Sequence, residues 1–218
     1  MSGAVLPFPV PAGIRPELYR YVSEEIIPRY AAFDAAHREG HACQVIREAL
    51  HLAGSYPEAD PEIVFTAAAF HDTGLSEGRE HHHNVSARII REDPRLPEWF
   101  SPQQIECIAQ AAEDHRASSK TPPRSLYGML IAEADRTIDP EDILLRTLRF
   151  SLDHYPELDK EGHWNRCRQH LDEKYGDGGY LKLWIPGSQN AERLEALRVI
   201  IRDRALLRRH FERLWASR

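Results

Sequence analysis

The stretch that decides the fold is Ala67-Ala-Ala-Phe-His71-Asp72-Thr-Gly74, in which an apolar run ends in two polar side chains and a glycine. Residues 60–62 read Asp-Pro-Glu, which supplies an N-cap, a proline at the first helical position and an acid in the first turn. This pattern predicts a helix from residue 61 to the His71-Asp72 pair, where the glycine ends it. Burial of an imidazole and a carboxylate costs free energy, so an apolar helix that ends in both indicates a functional site.

Helical periodicity continues on both sides of this stretch, and no convincing alternating strand pattern appears. Helices are predicted at about residues 15–36, with a kink or break at Pro28, and at about 37–52, 84–91 and 126–137. A capping box at Ser101 predicts another helix start, and residues 139–141 repeat the Asp-Pro-Glu signal. The last helix is predicted from Asn190 to about Trp215. The expected fold is all-α, a helical bundle with a C-terminal helical extension.

Composition and charge restrict the classes of partner. The 218 residues carry 28 Lys plus Arg against 34 Asp plus Glu, a net charge of −6, which argues against nucleic acid or an anionic membrane as the main partner. Cys43, Cys107 and Cys167 are scattered, so a reducing, cytoplasmic location fits better than a disulfide framework. No apolar run approaches the roughly 18 residues that a membrane span needs. We expect no nucleic-acid or membrane partner, and a homodimer stays open.

Four residues that could bind a metal occur in an ordered series. His41 lies on one predicted helix, His71 and Asp72 end another, and Asp135 lies near the end of a third. Imidazoles and carboxylates from separate helices can converge on one point inside a bundle. Such mixed ligation suits Fe, Mn, Co, Ni or Zn and leaves positions for water or substrate. His37, one turn before His41, is a competing candidate for the first ligand, and Asp135 could instead be a helix-terminal acid.

This series resembles the HD superfamily of metal-dependent phosphohydrolases. The stretches that carry the resemblance are His41-Ala-Cys-Gln-Val45, residues 67–74 and Ala134-Asp135-Arg136. The resemblance implies that His41, His71, Asp72 and Asp135 are metal ligands. It covers about residues 37–150, which we expect to form the HD-domain core. From the helical pattern we expect a helical segment at 1–36 to pack on this core and an extension at 151–218 to belong to the same domain.

Two further histidines, His82 and His115, look like secondary site positions of the same family. In members with two metals such positions bind the second ion, and in members with one metal they face the substrate phosphate. One or two divalent transition-metal ions are therefore implied. In either case His82, His115 and Arg116 are candidate donors to transition-state charge. Lys120 and Arg124, on the loop after His115, could hold another anionic part of the substrate.

The function implied by the resemblance is hydrolysis of a phosphate ester of a small molecule, with nucleotides among the candidate substrates. A bound metal lowers the pKa of a water and polarises a phosphoryl oxygen. Asp72 could accept a proton from that water or bridge two metals. Two alternatives stay open: a di-iron oxygenase on the same scaffold, and a non-catalytic regulatory module that binds a metal or ligand.

Overall fold

The computed structural model describes residues 6–33, 38–117 and 121–218 of the chain. Within these ranges it contains ten α-helices and no β-strand, which confirms the predicted all-α class. The chain divides into two compact units, Met1–Asp135 and Arg136–Arg218. The predicted segment boundaries near residues 36 and 150 stay predictions. None of the helices in the described ranges has the length and apolar character that a membrane crossing would need.

The N-terminal segment of the first unit is helical from residue 16 to residue 32, but its pitch changes along its length. Helix α1 (Pro16–Tyr21) leads into a π-helical turn at Val22–Ile26 and a 3-10 turn at Ile27–Ala32. Pro28 lies in the 3-10 turn, in agreement with the predicted break, because proline removes a backbone donor. The unit continues with α2 (Glu39–Ala53), α3 (Pro61–Phe70), α4 (His82–Glu92), α5 (Pro102–Asp114) and α6 (Leu126–Ala134).

Two of the predicted helix starts in this unit are made by side-chain caps. The Asp60 carboxylate accepts the backbone N–H of Glu62 at 2.9 Å and opens α3. Ser101 and Gln104 form the reciprocal capping box that opens α5. Helix α4 begins at His82, two residues earlier than predicted.

Helix α3 is the central helix of the first unit. Every residue from Glu62 to Phe70 is buried, and the helix contacts α2, α5 and α6. A helix that is apolar on all sides belongs inside a bundle. The end of α3 therefore also lies inside the protein, which leaves His71 fully buried and Asp72 3% exposed.

The second unit consists of four helices, α7 (Pro140–His154), α8 (Lys160–Tyr175), α9 (Gln189–Arg202) and α10 (Arg204–Ala216). The prediction of one last helix from Asn190 to Trp215 is wrong, because the helix is interrupted at Asp203. This residue has an extended backbone with φ −82° and ψ 93°. Its carboxylate accepts the N–H groups of Ala205 and Leu206, so it caps α10 instead of continuing α9.

Candidate metal centre

Three helices of the first unit end at residues that we predicted for the site. His71, His115 and Asp135 are the C-cap residues of α3, α5 and α6. The last carbonyls of a helix carry partial negative charge, which favours a cation near them. His41 comes from the first turn of α2, and His82 is the first residue of α4. Five elements thus direct potential ligands to one region.

The first cluster consists of His41, His71, Asp72 and Asp135, and the structure brings all four together. Nε2 of His41 lies 3.3 Å from Nε2 of His71 and 3.1 Å from Oδ1 of Asp135. Oδ2 of Asp72 lies 3.4 Å from Nε2 of His71 and 3.7 Å from Nε2 of His41. Two ligands bound to one ion at usual lengths and angles are about 3.0–3.4 Å apart. The spacing of these donors therefore suits one divalent ion.

The second cluster consists of Asp72, His82 and His115. Nε2 of His82 lies 3.2 Å from Nε2 of His115, and each of these nitrogens lies 3.4 Å from Oδ1 of Asp72. The two clusters share Asp72 but use different oxygens of its carboxylate. The second set of donors could hold a further ion with Asp72 between the two.

Backbone hydrogen bonds determine which ring nitrogen faces each cluster. The Nδ1–H groups of His71 and His82 donate to the carbonyl three residues earlier, at 2.7 and 2.8 Å, and His115 does the same. Because a carbonyl only accepts, each of these Nδ1 atoms carries the hydrogen, and a neutral ring then directs its Nε2 lone pair into the cluster. Two facing lone pairs repel unless a cation lies between them. The donor set therefore fits a metal ion.

The charges in the first cluster are strongly coupled. Burial alone would raise the pKa of Asp72 and of Asp135, but the neighbouring imidazoles outweigh burial and hold both pKa values well below the usual range. Burial also opposes protonation of His71, yet the carboxylates of Asp72 and Asp135 raise its pKa to about 10. A proton on His71 would balance part of this negative charge. A bound cation would displace that proton.

Tyr30 positions Asp72, and the sequence analysis missed it. Its fully buried hydroxyl donates to the carbonyl of Ala69 at 2.9 Å and accepts the backbone N–H of Asp72 at 3.2 Å. These two bonds hold the turn in which the chain leaves α3. No local pattern marks Tyr30, because it lies in the N-terminal segment, outside the stretches that carry the resemblance.

Gly74 allows α4 to approach the end of α3. Its backbone N–H donates to Oγ of Ser86 at 2.9 Å. A Cβ at this position would lie 2.0 Å from the carbonyl oxygen of His82, which no side chain can tolerate. The glycine is therefore needed for the close contact that brings His82 to Asp72.

Arg116 lies near the second cluster. Its Nη1 donates to the carbonyl of Glu80 at 2.7 Å. Burial is the main cause of the lowered pKa of His82, and the charges of His115 and Arg116 lower that pKa further. Arg116 is thus close enough to influence the cluster electrostatically.

Arg124 forms ion pairs with two carboxylates of the protein. Its Nε donates to Oδ1 of Asp114 at 3.0 Å, and its Nη2 donates to Glu113 at 2.8 Å. This pairing makes Arg124 unsuitable as the substrate contact that we expected, because its guanidinium is already neutralised. Lys120, the other expected contact, lies outside the described residues.

Comparison with known protein families gives one finding. Residues 38–138 match the family model of the HD domain. This range includes every residue of both clusters. Searches among curated proteins and among solved structures gave no match.

Proposed function

Because this chain is an HD-domain protein whose clustered His and Asp side chains all lie within the matched range, we propose that it is a metal-dependent phosphohydrolase. Its proposed substrate is a small phosphorylated molecule, with nucleotides as one candidate class. The observation that carries the proposal is the position of Asp72, whose two oxygens face two separate groups of imidazoles. Pairs of ions at short separation are typical of phosphatases.

A divalent ion bound at these donors would supply Lewis acidity and lower the pKa of a water towards neutrality. The protein contributes a site that is organised before substrate binds. His71 and His115 are almost completely buried, and hydrogen bonds to backbone carbonyls orient both rings. Preorganised groups need little rearrangement during the reaction, which lowers the barrier.

The solvent-accessible side of the site indicates where substrate enters. The side chains of His41, Asp135 and His82 are 18%, 23% and 16% exposed, whereas that of Asp72 is 4% exposed. A phosphate group that arrives from solvent would therefore meet these three side chains first. Asp72 is less accessible, and its two carboxylate oxygens are placed to hold an ion.

Arg116 is the proposed donor to a phosphoryl oxygen. A guanidinium has five N–H groups, and the contact with the Glu80 carbonyl uses one of them. If the second cluster does not hold an ion, His82 and His115 would share this role only when protonated, because their neutral rings present the Nε2 lone pair to the cluster. Charge-assisted bonds of this kind stabilise the negative charge that develops on phosphate.

The test is metal-dependent phosphate release from a panel of phosphorylated metabolites, with Mn, Fe, Co, Ni and Zn supplied separately. We expect turnover with at least one ion and none in Asp72→Ala. Asp153→Ala is the matched control, because this exposed aspartate of α7 belongs to neither cluster. Undiminished turnover in Asp72→Ala, or no release from the whole panel with any ion, would overturn the proposal.

The same preparation separates the two alternatives. Oxygen consumption on addition of a candidate substrate, without phosphate release, would favour a di-iron oxygenase. Metal-induced thermal stabilisation without any turnover would favour a non-catalytic binding module.

A further inference from the structure

A cavity of about 450 Å³ lies within the C-terminal unit, between α7 and α8. Helix α7 contributes Arg146 and Phe150, which are one turn apart, and α8 contributes Arg166, His170 and Lys174 at intervals of one turn. None of the described side chains that line the cavity is acidic. None of them belongs to either metal-binding cluster. The cavity is therefore a second candidate binding site, with a cationic wall.

Other arginines of this unit form ion pairs with carboxylates, but the cationic side chains that line the cavity have no such partner among the described residues. Arg202, for example, lies 2.6 Å from a carboxylate oxygen of Asp177. By contrast, among the described residues no carboxylate lies within ion-pair distance of Arg146, Arg166 or Lys174. Like charges held around one cavity repel each other, so an anion placed among them is stabilised.

Aromatic rings line the same cavity and are open to solvent. The guanidinium carbon of Arg166 lies 4.2 Å from the ring centre of Tyr155 and 5.0 Å from that of Phe150. These rings are 38% and 47% exposed, so both present apolar surface to the solvent at the cavity. A stacked guanidinium keeps its N–H edge available for a phosphoryl group. Burial is the main cause of the lowered pKa of His170; the charges of Lys174 and Arg166 lower that pKa further and outweigh the opposing charge of Glu173.

We infer that this cavity binds an organic phosphate that carries a planar aromatic ring. The phosphate would take the place of the missing carboxylate partners of Arg166 and Lys174, and Arg is suited to bind it through two parallel hydrogen bonds. The ring would pack on the exposed part of Tyr155, because the ring of His154 already stacks on Phe150 with 3.9 Å between the ring centres. The cavity volume lies within the usual range for small-molecule sites, roughly 300–1,000 Å³.

The probe for this site is the methylenephosphonate analogue of AMP, in which a P–C bond replaces the ester bond, so that no phosphohydrolase can consume it. We expect calorimetry on the full chain to detect its binding, and Arg166→Gln to weaken that binding by at least about tenfold. Arg149→Gln is the matched control, because this exposed arginine of α7 does not line the cavity. It should leave the affinity within about twofold, a shift typical of screened surface charges.

The probe could also bind at the metal centre, and a third variant distinguishes that binding from binding in the cavity. Asp72→Ala, which removes the carboxylate shared by both clusters, should remove any isotherm that belongs to the metal centre and leave the one that depends on Arg166. The inference does not depend on the proposed hydrolase activity, so failure of one does not imply failure of the other.

Two fragments of the probe test the chemistry of recognition. Adenosine lacks the phosphonate and ethylphosphonate lacks the ring, and each should bind at least about tenfold more weakly than the whole probe. The inference is overturned by absence of a cavity isotherm in the wild type, or by equal weakening in Arg166→Gln and Arg149→Gln. Binding of ethylphosphonate as tight as that of the probe would also overturn it, because the ring would then contribute nothing.

Discussion

Oδ1 of Asp72 lies 3.4 Å from Nε2 of His115, which ends a different helix, while Oδ2 lies 3.4 Å from Nε2 of its chain neighbour His71. The chain leaves the helical conformation at Asp72, with φ −108° and ψ 6°, and its side chain can therefore lie between the two clusters. Each cluster also has one imidazole on its accessible side. These are His41 and His82, with side-chain exposures of 18% and 16%.

The matched pair His41→Ala and His82→Ala should distinguish the contributions of the two clusters to metal binding. We expect His82→Ala to keep one ion per chain and lose the second, and His41→Ala to weaken the first ion. Loss of a direct ligand should exceed the roughly 10- to 100-fold effect of losing an outer-shell partner on metal affinity. The measurement is metal content per chain by mass spectrometry after dialysis. If His82→Ala binds as much metal as the wild type, His82 faces substrate, and its loss should raise KM instead.

Tyr30→Phe should destabilise the protein and slow turnover. The substitution leaves the buried N–H of Asp72 without its acceptor, which costs about 1–3 kcal/mol. Urea denaturation measures the stability, and the metal-loaded enzyme gives the change in kcat. Tyr180→Phe is the control, because this ring is 49% exposed. Equal stability of the two variants would show that the Tyr30 hydroxyl does not hold the turn.

Gly74→Ala should destabilise the first unit and displace α4. The new methyl group would meet the His82 carbonyl at 2.0 Å, and backbone must move to relieve this contact, at a cost of about 1–3 kcal/mol or more. Gly40→Ala, within α2, meets nothing within 4 Å and should instead stabilise the helix by up to about 1 kcal/mol. Denaturation in the presence of a chelator compares the two without a metal contribution. A neutral Gly74→Ala would contradict the close packing of α4 on this turn.

Glu62→Gln should remove a pH-dependent part of the stability. The backbone N–H and Nε of Arg15 each donate to Oε1 of Glu62 at 2.8 Å. Burial raises the pKa of Glu62, but these bonds outweigh burial and lower the pKa below its usual value. The folded state therefore binds fewer protons than the unfolded state. The resulting stability is present above the unfolded pKa and is lost as the pH falls through the folded pKa.

The measurement for this pair is urea denaturation at neutral and at acidic pH. At pH 7 we expect Glu62→Gln to be less stable than the wild type by about 1–2 kcal/mol, with a smaller difference in acid. Glu98→Gln, which removes an exposed ion pair with Arg95, should have a smaller effect at both values. A difference for Glu62→Gln that does not change with pH would contradict the assigned role of the carboxylate.

Local signals predicted most helix boundaries of this protein. Asp60 and Ser101 start helices where they were expected, because a cap depends only on the next two or three residues. The break between α9 and α10 at Asp203 was not predicted. The apolar periodicity on both sides of it is continuous, and only its capping bonds reveal that one helix ends and another begins there.

The sequence by itself determined the all-α class and the positions of His71 and Asp72 at a helix end, because both depend on periodicity and caps within a few residues. Tertiary structure alone decided that the two Asp72 oxygens face different imidazoles and that Tyr30 holds the turn. It also decided that Arg124 is paired with acids of its own protein. These relationships join residues that are distant in the chain, and side-chain packing rather than local conformation brings them within contact distance.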